Sequence, residues 1–198
     1  NTTAPTVTLT TGNSTVNESG TGTTTTVTAT LTAVSAQEVT VTLTKTGTAT
    51  VTADYSLAGT ITIPAGVTSA AITLSAADDQ IKESNETVII DITAVTNGTE
   101  SGEQQQTVTI LDDELEPTVT LTTGTSTIIE VAGATGTTAV TATLNRTSSS
   151  NVIVTLAKNV SGTATDSADY TLSSTTITIP AGSSSASVTL TAVLESLN

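Results

Sequence analysis

Nine carboxylates fall at four places in the first 116 residues of this 198-residue chain: Glu18; Asp54; Asp78, Asp79, Glu83 and Glu86; and Asp112, Asp113 and Glu114. The third group is crowded, Asp-Asp-Gln-Ile-Lys-Glu-Ser-Asn-Glu, within sequence that is Thr-rich and nearly uncharged. Like charges about 4 Å apart repel by about 4 kcal/mol at an effective dielectric near 20, so packed carboxylates either spread into water or share a cation. The chain has no His and no Cys, so the donors are oxygens, and such a set describes a site for a hard cation. Calcium fits best: it takes six to eight oxygens in flexible geometry, and neighbours such as Asp78-Asp79 and Asp112-Asp113 can bridge adjacent ions. Magnesium wants a small octahedral site with retained waters, and zinc wants nitrogen or sulfur. Seven acids, Glu18, Asp54, Asp78, Asp79, Glu83, Asp112 and Asp113, are neutralised by about three divalent ions, so a cluster of roughly two to four is expected.

Such a site requires elements that bring distant stretches of chain together. Val, Ile and Leu alternate with Thr and Ser, the pattern of half-buried strands, and an all-β protein is expected. In the first part of the chain seven strands are predicted: 6–11 with a continuation to Val16, then 24–33, 39–44, 60–63, 70–76, 87–95 and 106–111. Short strands with one apolar face each make a two-sheet sandwich. Its core is predicted from Val7, Leu9, Val27, Ala29, Leu31, Val39, Val41, Leu43, Ile61, Ile63, Ile72, Leu74, Val88, Ile90, Ile92, Val108 and Ile110. Tyr55 is expected to anchor it, with its hydroxyl on a backbone partner. If successive strands run up and down, the loops holding Glu18, Asp54 and Asp78 to Glu86 share one pole with the end of the last strand at Asp112-Asp113-Glu114. Glu100 and Glu103 then lie at the opposite pole, as ordinary solvated charge.

The chain also repeats itself. Pro5-Thr-Val-Thr-Leu-Thr-Thr-Gly12 recurs as Pro117-Thr-Val-Thr-Leu-Thr-Thr-Gly124, Ala53-Asp54-Tyr55 as Ala168-Asp169-Tyr170, and Ile61-Thr-Ile-Pro-Ala-Gly66 as Ile177-Thr-Ile-Pro-Ala-Gly182. A repeat of this length means tandem domains, placed at 1–116 and 117–198. The second keeps Glu130 and Asp169, but Leu194 and Glu195 stand where the first has Asp78 and Asp79, so its site is expected to be weakened or absent. It stops after its fifth strand, which is expected to leave a sheet edge loose or reliant on borrowed strands. The given sequence is accordingly read as a piece of a longer chain. Fourteen of the 18 carboxylates lie in the first repeat, and only four basic residues oppose them, for a net charge of −14. That balance argues against nucleic acid and anionic membranes as partners and for cations. No apolar run is long enough to span a bilayer.

Four motifs together resemble the Calx-β domain: Gly47-Thr-Ala leading to Ala53-Asp54-Tyr55; Ile61-Thr-Ile-Pro-Ala-Gly66; Asp78-Asp79-x-x-x-Glu83-x-x-Glu86-Thr87; and Thr109-Ile-Leu-Asp-Asp113. The resemblance covers the first repeat and the available part of the second. It implies an immunoglobulin-like β-sandwich of about seven strands, repeated in tandem with the second copy incomplete, binding Ca²⁺ at the pole next to the following domain. Carried over by motif, the ligands are Glu18, Asp54, Asp78, Asp79, Glu83, Asp112 and Asp113, with the Ile81 carbonyl as a further donor.

The expected function is that of a calcium-binding structural repeat in an extracellular or cell-surface protein, its ions stiffening a tandem array in an adhesive or filament role. Neighbouring Calx-β domains are the expected partners, beside a cell-surface or matrix ligand, with no membrane insertion. No organic cofactor and no catalysis are expected, because the usual triads cannot be built without His or Cys. The alternative is a Thr-rich ice- or surface-binding or adhesin module, suggested by Thr8-Leu-Thr10, Thr28-Ala-Thr30 and Thr60-Ile-Thr62.

Overall fold

A computed structural model of the chain describes residues 4–131, 134–158 and 161–194. These contain strands and no helix. They divide into two units, Asn1–Asp79 with Ser84–Asp113, and Gln80–Glu83 with Glu114–Asn198.

Unit 1 contains β1 (Thr6–Thr11), β2 (Thr15–Asn17), β3 (Thr24–Leu31), β4 (Val39–Gly47), β5 (Tyr55–Ser56), β6 (Thr60–Ile63), β7 (Ser69–Ala76), β8 (Glu86–Thr96), β9 (Thr99–Glu100) and β10 (Gln105–Leu111). They form two five-stranded sheets, β5-β7-β3-β1-β9 and β2-β10-β8-β4-β6. The alternation places Thr outward and the aliphatic residues between the sheets. Val7, Val27, Ala29, Val39, Val41, Ile61, Ile63, Leu74, Val88, Ile90 and Val108 are fully covered, with Leu9, Leu31, Leu43, Ile92 and Ile110 nearly so. Of the predicted core only Ile72 differs, being half-buried at its margin. Val16, Tyr55 and Leu57 join the core.

Three features depart from the sequence expectation. The first strand does not run on to Val16 in one sheet. It breaks at Gly12, whose N–H donates to the Thr26 carbonyl (2.9 Å). Beyond the break β2 crosses over to pair in parallel with β10, Val16 opposite Ile110. The short β9 lies parallel to β1, and the Glu100 carboxylate accepts from Gln104 N–H at 2.6 Å. Glu100 therefore orders the loop it sits in and is more than solvated charge. Tyr55 is 1% exposed, and among the described residues its hydroxyl has no hydrogen-bond partner, so packing alone anchors it.

Unit 2 contains β11 (Val119–Thr123), β12 (Glu130–Val131), β13 (Ala134–Thr135), β14 (Thr137–Leu144), β15 (Val152–Thr155), β16 (Tyr170–Leu172), β17 (Thr176–Ile179) and β18 (Ser185–Ala192). Its sheets are β11-β14-β18-β16, β12-β13 and β15-β17. The core is smaller: Val140, Ala142, Leu144, Ile177, Ile179 and Val188. β4 is flanked by both β6 and β8, whereas β15 has β17 as its one partner among the described residues. No borrowed strand completes this edge among those residues, and Ile153 on it is 67% exposed.

Candidate metal centre

The acidic residues of unit 1 are positioned by backbone hydrogen bonds between loops that are far apart in sequence. Glu18 leaves β2 with its N–H on the carbonyl of Leu111, the last residue of β10 (3.1 Å). That bond sets it beside Asp112, and a carboxylate oxygen of each lies within 4.8 Å of the other. Glu18 is only 5% exposed, and a buried carboxylate is tolerated only when its charge is compensated. On the same edge the Ser19 hydroxyl donates to the Asp113 carboxylate. Asp112 N–H donates to Asn85 Oδ1 (3.3 Å), tying the end of β10 to the start of β8.

Asp54 sits in a tight turn. Its N–H donates to the Thr50 carbonyl at 2.9 Å, and its carboxylate accepts from Thr50 N–H. Thr52 within the turn takes a left-handed φ of 81°. The Asp54 carbonyl accepts from Ala77 N–H (2.9 Å), so Asp54 stands against the chain leaving β7 toward Asp78 and Asp79. The approach to β8 depends on Gly47, at φ 117°. A Cβ there would stand 2.1 Å from the Thr87 carbonyl oxygen, which in turn accepts from Thr48 N–H (3.0 Å) and Ala49 N–H (3.1 Å). Only glycine permits this closeness, and it brings Glu86, the first residue of β8, within 4.8 Å of Asp54 between carboxylate oxygens. Asp78 and Asp113 form a third pair at the same limit.

Six acids of unit 1 thus meet in three close pairs at one end of the sandwich. Five belong to the predicted set: Glu18, Asp54, Asp78, Asp112 and Asp113. Asp79 follows Asp78 directly, is half-buried, and belongs to none of these pairs. Glu83 is counted with unit 2. Glu86 is the residue the sequence-based ligand set omits; its signal was its place immediately before the alternating run of β8. Asn97 Nδ2 on the Glu38 carbonyl (2.8 Å) marks the other end, where Glu38, Glu100 and Glu103 lie.

The donor set suits a hard cation. All six side chains offer carboxylate oxygens, and nothing soft is present to favour zinc or copper. The charge also reaches the core: burial first, and then the adjacent Asp54 carboxylate, raise the Tyr55 hydroxyl above its ordinary pKa.

Unit 2 repeats the turn but not its surroundings. Asp169 N–H donates to the Thr165 carbonyl (2.8 Å), its own carbonyl accepts from Val193 N–H (2.9 Å), and its carboxylate accepts from Thr165 N–H. The residue after Val193 is Leu194, and Glu130 is exposed in a hairpin.

The family model described as "Calx-beta domain" matches residues 1–114 and 116–197. The chain belongs to the Calx-β family. This family consists of calcium-binding domains, not catalytic ones. Among solved structures, the chain is similar to calcium binding domain CBD12 of CALX1.1, at 22% identity over 91% of this chain and 73% of that one, with a TM-score of 0.44. It is also similar to the apo form of the Calx CBD1 domain, at 23% identity over 55% of this chain and 99% of that one, TM-score 0.46. A two-domain protein of unknown function from Bacteroides fragilis matches at 10% identity over 96% and 88% of the two chains, TM-score 0.41. Among curated proteins, none matches.

Proposed function

We propose that this Calx-β chain binds Ca²⁺ through Glu18, Asp54, Asp78, Asp79, Glu83, Asp112 and Asp113, joined by Glu86, all of them but Glu83 belonging to unit 1. The observation that carries this reading is the convergence of Glu18 with Asp112, Asp54 with Glu86, and Asp78 with Asp113, each pair within 4.8 Å. Each close pair costs about 4 kcal/mol of repulsion at an effective dielectric near 20, and a divalent cation removes that cost. Calcium supplies charge compensation when bound, and the protein's part is to hold the oxygens of four separate loops in place by backbone hydrogen bonds.

The linker through Pro117 follows directly on Asp112 and Asp113 in sequence. Calcium there stiffens the passage from one Calx-β domain to the next, so the chain serves as a structural repeat of an extracellular or cell-surface protein, in an adhesive or filament role and without catalysis. Extracellular calcium, which suffices for modules binding at about 10⁻⁴ to 10⁻³ M, keeps such a site filled.

Calorimetric titration of the full chain with Ca²⁺ tests the binding. Saturable heat is expected, weakened at least about tenfold by Asp112→Asn or Asp79→Asn; absence of saturable binding would refute the site. X-ray scattering of the full chain, in calcium and in chelator, tests the stiffening: a narrower spread of dimensions is expected with calcium, and superimposable curves would refute it.

A further inference from the structure

The two repeats carry the same loop between their second and third long strands, and in one of them that loop is covered. In unit 2 the loop is built around Ser148, whose carbonyl accepts from Gly182 N–H (2.8 Å) and whose hydroxyl accepts from Ser150 N–H (3.2 Å). In unit 1 Ser35 does the same, its carbonyl accepting from Gly66 N–H (2.9 Å) and its hydroxyl from Gln37 N–H (3.1 Å). The preceding residues match as well: Thr32 N–H donates to the Thr6 carbonyl (3.0 Å), as Asn145 N–H does to that of Thr118 (3.1 Å). Val34, Ser35 and Ala36 are therefore the counterparts of Thr147, Ser148 and Ser149.

Within unit 2 an extended segment, Gln80–Glu83, lies along this loop. Lys82 forms a parallel bridge with Ser148. Its N–H donates to the Thr147 carbonyl (3.2 Å), and its carbonyl accepts from Ser149 N–H (3.0 Å) and from the Ser149 hydroxyl (3.2 Å). In unit 1 the equivalent Val34 carbonyl and Ala36 N–H have no hydrogen-bond partner among the described residues, and Val34 is 61% exposed. Beside them opens a cavity of ≈ 630 Å³ lined by Pro5, Val34, Ser35, Ala36, Gln37 and Gly98, among others.

We infer that residues 34–36 are a docking edge for the loop between the β7 and β8 strands of another Calx-β sandwich. The incoming loop enters as a short extended segment centred on a lysine, its N–H on the Val34 carbonyl and its carbonyl on Ala36 N–H. Such pairing of an extended segment on an open backbone edge draws affinity from main-chain hydrogen bonds. Charge favours the lysine: Glu38, which is exposed, stands where unit 2 has Asn151. The inference goes beyond calcium binding and stands independently of it, because it rests on backbone geometry that both units share.

The test is run in chelator, so that failure here and failure of the calcium site stay separate. The full chain, ¹⁵N-labelled, is titrated with a peptide of residues 79–86, and the amides of Val34, Ser35, Ala36 and Gln37 are followed by NMR. Saturable shifts at these amides are expected, with a dissociation constant on the order of 1 mM. The same peptide N-methylated on the lysine backbone nitrogen should bind at least about fivefold more weakly, having lost one hydrogen bond. Ala36→Pro, which removes the receiving N–H, should abolish the shifts, while Ala36→Gly keeps them and controls for folding. Unmoved amides at 34–37, or equal binding by the N-methylated peptide, would overturn the inference.

Discussion

The turns 50–55 and 165–170 are the same object in two settings. In each, an aspartate caps the turn through its carboxylate, a non-glycine residue takes a left-handed φ (Thr52 at 81°, Ser167 at 67°), and a tyrosine follows. Around Asp54 gather Glu86 and the chain leading to Asp78; beyond Asp169 the chain runs through Val193 to Leu194. The capping hydrogen bond is therefore a requirement of the fold, common to both units, and the aspartate alone says nothing about metal. What distinguishes unit 1 is the delivery of further carboxylates by β2, β8 and β10, and only the pairing of those strands makes the capping residue a candidate ligand.

Predictions that break or sharpen this contrast follow from largest to smallest. Truncating the better-enclosed core should hurt most. Leu74→Ala in unit 1 is expected to cost about 2–5 kcal/mol, and Val188→Ala in unit 2, whose core has fewer buried members, less; denaturant titration of each variant measures both, and equal costs would blur the distinction. Calcium removal comes next. If calcium is present at about 100 times its dissociation constant, chelation should remove roughly 2.7 kcal/mol, and hydrogen exchange should rise in unit 1 while the β14–β18 amides are unmoved.

Gly47→Ala should destabilise unit 1 by about 1–3 kcal/mol, since its positive φ and the Thr87 carbonyl both resist a Cβ, and should weaken calcium binding by displacing Glu86. Urea unfolding and calorimetry on the same sample report the two effects. Asp54→Asn keeps a capping oxygen and removes a charge, so calcium affinity should fall about tenfold with little change in melting temperature. Asp169→Asn should leave calcium affinity unchanged.

The smallest effect is optical. Tyr55 has a raised folded pKa from burial and then from Asp54, so the folded state holds its proton more tightly than the unfolded chain. The stability it contributes is complete below the unfolded value near 10 and is lost as pH rises through the folded value. Calcium at Asp54 offsets the second cause and should move the tyrosinate transition to lower pH. Ultraviolet titration of a Tyr170→Phe variant, with and without calcium, isolates Tyr55.

Much of this was legible in the chain. Alternation of Thr with Val, Ile and Leu located the long strands to within a few residues, because one face of each is buried and the other wet. The shared end followed from strand direction alone, which decides the pole at which each loop emerges. What the pattern could not reveal was pairing. Thr15-Val16 alternates just as β1 does, so nothing local tells the chain to change sheets at Gly12. β9 is too short to show a period. Glu86 reads as the edge of a strand until Gly47 and Thr87 are seen to bring it against Asp54. Ile72 alternates correctly but lies at the sandwich margin, where its face is covered only in part.

The most direct test is a calcium titration of the ¹⁵N-labelled full chain, followed residue by residue. Saturable perturbation should be confined to the amides near Glu18, Asp54, Asp78, Asp79, Glu83, Glu86, Asp112 and Asp113, with Asp169 and Glu130 unmoved. Equal perturbation around Asp169, or none at Glu18 and Asp112, would contradict the account.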